Sequence, residues 1–305
     1  MLKILASTSV AAVALSLAGC SGTPQAEADV VDGWSIENIQ ETGIRGVSPE
    51  LVEIDGLSTL FVTSLDPQRV WHGDGSGGFD PAPLEVPPGA DFTVIDEGSQ
   101  WRIYWADFIE MPQAGQPMSP DAKKQVVSAT TTDFRSYSPA TPTGVQQVGE
   151  GRAWGVPDTV VGPDGTVHMY WVDEVEGERR EVLRHATSAN GIDFTVSAEP
   201  VMFGGYVDPF VLRAEEGDWL MLLSTTPHPS ELPQKLHLAR SSDGVAWEVD
   251  PTPLLTDPEW NYLDPTAYPT AEGEWQIVFA TSPKDSPLDP DLMMLVSGVL
   301  RDTSQ

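Results

Sequence analysis

Five short apolar segments of the chain each begin with an acidic residue: Glu50, Asp91, Asp158, Asp208 and Asp264. Carboxyl groups that meet at one place raise one another's pKa, so that one stays protonated while another is ionised. Such a set can serve in acid–base catalysis, accept hydrogen bonds from a hydroxylated ligand, or hold a cation. Asp before Pro is also a common turn device, in which the carboxylate only accepts nearby backbone amides. The chemistry therefore depends on whether the fold brings these acids together.

Four side chains just upstream of the third, fourth and fifth acids are placed to contact a ligand: Trp154, Tyr206, Tyr262 and Arg152. Aromatic rings offer flat apolar faces at the edge of a polar site. An arginine can hold a carboxylate of the protein ionised, or bind a carboxylate of the ligand. The aromatic residues would serve equally well as core between strands.

The acidic segments belong to a repeat that occurs five times. Each copy has the acid, a short strand, a turn with glycine and a second apolar strand. The acid-to-glycine spacing is 6, 7, 7, 9 and 9 residues, as expected for hairpins with turns of different length. The copies are SPELVEIDGLSTLFVTS from Ser48, ADFTVIDEGSQWRIYWAD from Ala90, VPDTVVGPDGTVHMYWVD from Val156, VDPFVLRAEEGDWLMLLST from Val207 and LDPTAYPTAEGEWQIVFAT from Leu263. A second hairpin follows, as in LHLARSSDGVAWEV, so each unit has four short antiparallel strands.

Four-stranded units repeated every 40–65 residues or so are typical of propeller blades. We therefore predict an all-β fold, a single five-bladed β-propeller of four-stranded antiparallel blades over residues 33–305. The last unit ends with its third strand, LMMLVSGVL, whereas VDGWSIEN near the N-terminus resembles DGVAWEVD of the fourth unit. We predict that residues 33–39 supply the outer strand of the last blade and close the ring, which places Trp34 against that blade.

The N-terminal 32 residues have a different character. Lys3 and an apolar stretch from about Ile4 to Ala18 predict a secretory signal over residues 1–19, too short for a comfortable membrane span. The ending LAGC resembles the bacterial lipobox, which implies cleavage before Cys20 and a diacylglycerol on its thiol. An ordinary signal peptide with an incidental cysteine is the alternative. Residues 20–32 then form a flexible polar tether, and the domain is expected at the cell surface as a membrane-anchored, extracytoplasmic lipoprotein.

Composition excludes one class of partner. The 46 acidic residues against 16 basic ones give a net charge of −30, and no cluster of Lys and Arg is present to contact phosphates. Nucleic acid is therefore not an expected partner. The five histidines lack metal-binding spacing, so no cofactor is expected, although acids that line a channel could hold a cation.

The five-fold pattern, together with SSDGVAW, resembles the five-bladed propeller glycoside hydrolases of family 43 and the related invertases and levansucrases. The resemblance covers the chain from about Trp34 to its end. It implies three carboxyl groups at the mouth of the central channel, namely an Asp base, an Asp that tunes pKa and a Glu acid. Asp158 matches the third-blade Asp of that family, Glu50 stands where the family has Asp, and Asp208 where it has Glu.

The resemblance thus assigns catalysis to Glu50, Asp158 and Asp208, with Asp208 as acid and Glu50 or Asp158 as base. Asp91 and Asp264 become flanking acids that contact substrate, with the upstream aromatic residues and Arg152. The function implied is hydrolysis of glycosidic bonds outside the cytoplasm. A non-catalytic lipoprotein that binds a glycan, or a protein-interaction scaffold, are the alternatives. Carboxyl groups separated by about 5 Å or by roughly 6–10 Å would favour hydrolysis, and acids sealed beneath side chains would favour binding or structure.

Overall fold

The computed structural model of the protein describes residues 27–28, 30–31, 33–109, 122–147, 154–174, 181–202, 204–271 and 273–303. Every regular secondary-structure element in these ranges is a β-strand, which confirms the predicted all-β class. In chain order they are β1 (Glu27–Ala28), β2 (Trp34–Arg45), β3 (Val47–Ile54), β4 (Leu57–Thr63), β5 (Val70–Gly73), β6 (Phe79–Pro81), β7 (Ala90–Asp96), β8 (Trp101–Phe108), β9 (Lys124–Thr131), β10 (Thr141–Gln146), β11 (Gly155–Val161), β12 (Val167–Glu174), β13 (Glu181–Ser188), β14 (Thr195–Val196), β15 (Tyr206–Glu215), β16 (Asp218–Thr225), β17 (Leu236–Ser241), β18 (Trp247–Val249), β19 (Leu255–Thr256), β20 (Trp260–Ala271), β21 (Glu274–Pro283) and β22 (Met294–Asp302). Nowhere in the described ranges is there a helix with the length and apolar character to span a membrane.

The strands form five antiparallel sheets, which are the predicted blades. Blade 1 contains β3 to β6, blade 2 contains β7 to β10, and blade 3 contains β11 to β14. Blade 4 contains β15 to β18, with β19 and β1 added at its outer side, and blade 5 contains β20 to β22 with β2. The central strands β3, β7, β11, β15 and β20 each contact the next, and β20 contacts β3, so the ring is closed. The five-bladed propeller is therefore confirmed.

The N-terminal strand closes the ring as predicted. β2 pairs with β22 in blade 5, with Trp34 opposite Asp302. Trp34 is 1% exposed, and its ring lies 4.8 Å from that of Trp275 in the same blade. Since β2 leads almost directly into β3, one continuous stretch of chain joins the last blade to the first.

The predicted signal and Cys20 lie outside the described residues. Within the predicted tether, Glu27–Ala28 form β1 and pair with Leu255–Thr256 of blade 4. Val31 then forms a bridge to Trp34 with two backbone hydrogen bonds of 2.8 Å. Parts of the predicted tether are therefore attached to the outer side of the propeller.

Apolar side chains fill the seams between blades. In β12, Met169 and Trp171 pack toward blade 2, whereas Tyr170 and Val172 pack toward blade 4. This alternation is the two-residue period of a strand that is buried on both faces. Because one blade exposes two apolar faces, it needs two neighbours, and only a closed ring supplies them to every blade.

Candidate functional site

Each central strand carries a bulge near its start, at the same place in all five blades. The pairing register skips two residues there: Ser48–Pro49, Asp91–Phe92, Val156–Pro157, Asp208–Pro209 and Asp264–Pro265. The first residue of each bulge has a positive φ, between 45° and 55°. Positive φ is uncommon for residues other than glycine, so its five-fold recurrence marks a shared backbone device.

The bulges sort the central side chains into two rings. We call the first bulge residues the upper ring: Ser48, Asp91, Val156, Asp208 and Asp264. We call the residues two positions later the lower ring: Glu50, Thr93, Asp158, Phe210 and Thr266. The expectation of five equivalent acids is therefore wrong, because three lie in the upper ring and two in the lower. Alignment of the copies on their shared proline, which is the second bulge residue in four blades, would have separated the rings.

Only the upper ring reaches the open mouth of the channel. All five of its residues line a cavity of about 560 Å³, which we call the mouth cavity. Glu50 and Asp158 instead line a narrow axial cavity of about 20 Å³ beneath it, about the size of one water molecule. Of the three acids assigned to catalysis from the sequence, Asp208 alone lines the mouth cavity. The flanking acids Asp91 and Asp264 accompany it there.

Hydrogen bonds between blades hold the upper ring together. The Ser48 amide donates to Asp264 Oδ2 at 2.9 Å, and the Ser48 hydroxyl donates to Asp91 Oδ1 at 2.8 Å. The Val156 amide donates to Asp91 Oδ2 at 3.2 Å, and the Asp264 amide donates to Asp208 Oδ2 at 3.3 Å. Ser48 thus forms a one-residue bridge between Asp264 and Asp91.

The lower ring joins the blades in a regular way. The Val94 amide donates to Glu50 Oε1 at 2.9 Å, and the Val211 amide donates to Asp158 Oδ2 at 2.8 Å. The hydroxyls of the two threonines in this ring accept equivalent amide bonds from the next blade at 3.0 Å. Every polar side chain of the lower ring therefore links its blade to the next one.

Glu50, Asp158, Asp208 and Asp264 are each at most 7% exposed. Burial raises the pKa of Asp158 to about 7 and that of Asp208 to about 6. Burial raises the pKa of Asp264 well above its usual range, and the charge of Asp208 adds to this. Burial, with the charge of Asp158, likewise raises the pKa of Glu50. Burial and the charge of Asp208 therefore both favour the protonated form of Asp264, whose backbone amide donates to Asp208 Oδ2.

The aromatic residues predicted from the sequence divide among different places. Trp154 lines the mouth cavity, although it is only 3% exposed. Tyr206 is half-buried and packs edge-on against His237, outside the lining of that cavity. Tyr262 is fully buried against Phe279, so its assignment to ligand binding is wrong and it is a core residue. Arg152 lies outside the described residues.

The mouth cavity also contains polar residues that the sequence did not identify. Lys124 lies on its wall and donates through Nζ to the Trp154 carbonyl at 2.9 Å. Glu174 and Glu181 face each other across β12 and β13 on the same wall. Because neighbouring strands are antiparallel, the end of each second strand returns to the side where the central strand begins. The sequence signal that could have identified these residues was their polar character at the strand ends on that side of the propeller.

The acids do not form a metal site. Among the described residues, no group of three or more His, Cys, Asp or Glu side chains is arranged to hold a metal ion. The carboxylate oxygens of the rings instead accept amide and hydroxyl groups, which leaves the predicted cation without support here.

Comparisons with known proteins identify the fold. No protein-family model and no curated protein matches the sequence. Among solved structures, a thermostable family-43 glycoside hydrolase is 14% identical with a TM-score of 0.60, over 87% of this chain and 91% of that one. An α-L-arabinanase from Cellvibrio cellulosa in complex with arabinohexaose is 13% identical with a TM-score of 0.55, over 85% and 92%. An N-acetylgalactosamine deacetylase from F. plautii in complex with blood group B trisaccharide is 12% identical with a TM-score of 0.56, over 90% and 94%. The chain therefore has the five-bladed propeller fold that is also found in the family-43 glycoside hydrolases.

Proposed function

We propose that this protein acts on carbohydrate and hydrolyses glycosidic bonds in the mouth cavity. The observation that carries the proposal is the set of three aspartates that line that cavity, among which burial raises the pKa of Asp208 to about 6 and that of Asp264 well above its usual range. Glycoside hydrolysis needs such a pair, because a protonated acid assists the departing sugar while a carboxylate activates water or attacks the sugar. The similarity to propellers solved with bound sugars is a similarity of fold, and it supports carbohydrate as the class of ligand.

The hydrogen bonds suggest which aspartates form the working pair. The Asp208 carboxyl is held against its neighbour, because the Asp264 amide donates to Asp208 Oδ2 at 3.3 Å. Asp264 and Asp91 are instead separated by Ser48, which donates to both. A one-residue bridge is compatible with carboxyl separations on the order of 5–10 Å, the range used in glycoside hydrolysis.

The roles that follow differ from those drawn from the resemblance. Asp264 is the proton donor, and Asp91, both of whose oxygens accept hydrogen bonds, is the base or nucleophile. Burial favours the protonated form of Asp264, and the charge of Asp208 adds to this. Glu50 and Asp158 lie beneath the three aspartates, and each accepts an amide hydrogen bond that joins its blade to the next.

The hydrogen bonds of the two rings favour a second candidate function, which is glycan binding without hydrolysis. Each acid of the two rings already accepts a hydrogen bond from a neighbouring blade, so the acids could serve structure while the mouth cavity only binds a glycan. Carboxylates that accept sugar hydroxyls need no perturbed pKa, and their loss would weaken binding without a catalytic signature.

A substrate panel with matched variants distinguishes these functions. The full-length protein is incubated with arabinans, xylans, fructans and aryl glycosides, and released sugar is measured by mass spectrometry. We expect release that falls at least a hundredfold in Asp264→Asn, as for the loss of a general acid. Release should fall in Asp208→Asn too, because that variant removes the charge that helps to raise the pKa of Asp264. Glu50→Gln and Asp158→Asn should retain most of it.

Two other outcomes would change the assignment of the catalytic acids or of the function. If Glu50→Gln and Asp158→Asn abolish release while the upper-ring variants keep it, the catalytic acids lie in the lower ring. If a folded protein binds a glycan of the panel but releases nothing from it, the function is binding.

We further propose that the protein is an extracytoplasmic lipoprotein anchored to a membrane through Cys20. The support is the signal-like segment over residues 1–19 and the small residues before this cysteine. Cell fractionation of the wild type and Cys20→Ser, with mass spectrometry of the N-terminal peptide, tests it. Membrane localisation with a diacylglyceryl mass on Cys20 is expected, and both should disappear in the variant.

A further inference from the structure

A second large cavity lies away from the mouth, in the outer part of the seam between blades 5 and 1. It measures about 790 Å³, within the range of roughly 300–1,000 Å³ that ligand pockets occupy. We call it the seam groove; it is lined by Asn38, Gln40, Gly56, Leu57, Ser58, Gly73, Asp74, Gly75, Ser76, Gly77, Thr270, Gln276, Ser297, Gly298 and Val299. None of these residues belongs to the upper or lower ring.

The short outer hairpin of blade 1 explains why this seam is open. β5 and β6 have four and three residues, whereas β2 and β22, which face them from blade 5, have twelve and nine. Glycines let the short hairpin lie close to blade 5. At Gly77, with φ 91°, an added Cβ would overlap the Gln40 amide.

The lining is almost free of charge, although 20% of the residues in the chain are charged. Asp74 is the single charged side chain among the described lining residues. Its Oδ1 accepts hydrogen bonds from the Ser76 amide at 2.7 Å, the Ser76 hydroxyl at 2.8 Å and the Gly78 amide at 3.1 Å. These bonds lower the pKa of Asp74 and fix its carboxylate in its own turn. The groove therefore offers no cationic group to an anionic ligand.

Amide and hydroxyl side chains supply the hydrogen-bonding capacity. Ser58 donates to Gln276 Oε1 at 3.1 Å, which leaves both amide protons of Gln276 without a partner in the described part of the chain. The exposed side chains of Asn38 and Gln40 also form no hydrogen bond with any described residue. Each of the three amides offers two donors, and Asn38 and Gln40 also offer an acceptor, as sugar hydroxyls require. Leu57, which is 48% exposed, adds an apolar surface for the C–H face of a sugar ring.

We propose that the seam groove is a second carbohydrate-binding site, which takes a neutral oligosaccharide independently of the mouth cavity. The two sites lie at opposite ends of β3, because its first residue, Val47, lines the mouth cavity and the groove is reached at the turn after Ile54. Eight residues of extended strand span roughly 23 Å, at about 3.3 Å per residue. Binding in the groove therefore leaves the mouth cavity free, whether or not the mouth cavity is catalytic.

Isothermal titration calorimetry of the full-length protein tests the proposal, in an Asp208→Asn background so that hydrolysis of the probe in the mouth cavity is slowed. The probes are arabinohexaose, xylohexaose and cellohexaose, with hexagalacturonate as the charged comparison. We expect at least one neutral hexasaccharide to bind, and hexagalacturonate to bind at least tenfold more weakly. The double substitution Gln40→Ala with Gln276→Ala should weaken binding of the neutral probe at least tenfold.

A matched pair of leucine substitutions supplies the control. Leu57→Asp places a charge in the groove and should also weaken binding at least tenfold. Leu65→Asp makes the same change at an 89% exposed leucine in the loop after β4, outside the groove, and should leave affinity unchanged. Circular dichroism confirms folding of each variant. The proposal fails if no neutral probe binds, or if binding survives the groove substitutions. Sugar release by the wild type is scored separately, so either proposal can fail alone.

Discussion

Replacement of the buried carboxyl at Asp158 by an amide is expected to stabilise the protein at pH 8 and to have little effect at pH 4.5. Asp158 is 5% exposed, and burial raises its pKa from an ordinary value of 3.8 to about 7. Because the folded-state pKa lies above the unfolded one, this group's contribution is complete below about pH 3.8 and is lost as the pH rises through about 7. Asn stays neutral at every pH and keeps an oxygen for the Val211 amide, which Asp158 binds at 2.8 Å.

The magnitude follows from the size of the pKa change. Moving a pKa from 3.8 to about 7 corresponds to roughly 4 kcal/mol, at about 1.36 kcal/mol per pKa unit. Relaxation around the ionised group reduces this figure, so we expect Asp158→Asn to gain about 1–4 kcal/mol at pH 8. For a domain of this size the gain corresponds to a Tm increase of about 2–10 °C.

Thermal unfolding of the wild type and Asp158→Asn at pH 4.5, 6 and 8 measures the effect. Asp243→Asn is the control with the opposite sign. The Asp243 carboxylate lies in an exposed turn and accepts amides of Val245 and Ala246 at 2.8 and 2.9 Å, bonds that lower its pKa. That variant should lose a little stability at pH 8. If Asp158→Asn is destabilised more at pH 8 than at pH 4.5, the ionised carboxylate is stabilised by its contacts and the reasoning is refuted.

Three further substitutions test the closure of the ring, the close approach of Gly89 to Trp105 and the burial of His185. Trp34→Ala should cost about 3–5 kcal/mol in urea unfolding, because Trp34 is 1% exposed and anchors the closing strand. Gly89→Ala should cost about 1–3 kcal/mol more than Gly98→Ala, since a Cβ at Gly89 overlaps Trp105 whereas Gly98 has open space and the two share a positive φ. An equal loss of Tm in both would contradict this. Burial lowers the pKa of His185 to about 4, so its contribution is lost as the pH falls from 6.5 to about 4. The Tm of His185→Gln should fall less over that window, and a parallel fall would exclude the effect.

The number of blades and the closure of the ring were predictable from the sequence. Both depend on patterns along the chain: alternation of apolar residues within strands, glycine in the turns, and a strand motif missing at one end but present at the other. The similarity between the Trp34 segment and the Trp247 segment was sufficient to pair β2 with blade 5. Such patterns are local, because a strand that is buried on both faces needs apolar residues wherever it lies.

The arrangement of the acids was decided by the tertiary structure. Whether an acid lies in the upper or the lower ring depends on a bulge that is visible in the pairing register, and a shift of two residues moves it from the mouth cavity to the sealed axis. Burial raises the pKa of Glu50 and of Asp264. The backbone amides that donate to these two carboxyl groups belong to other blades, 44 and 216 residues away in the chain. The sequence by itself determined that five acids begin five central strands. Which of them line the mouth cavity was determined only when the ring closed, because closure sets the distances between blades and the exclusion of water from the axis.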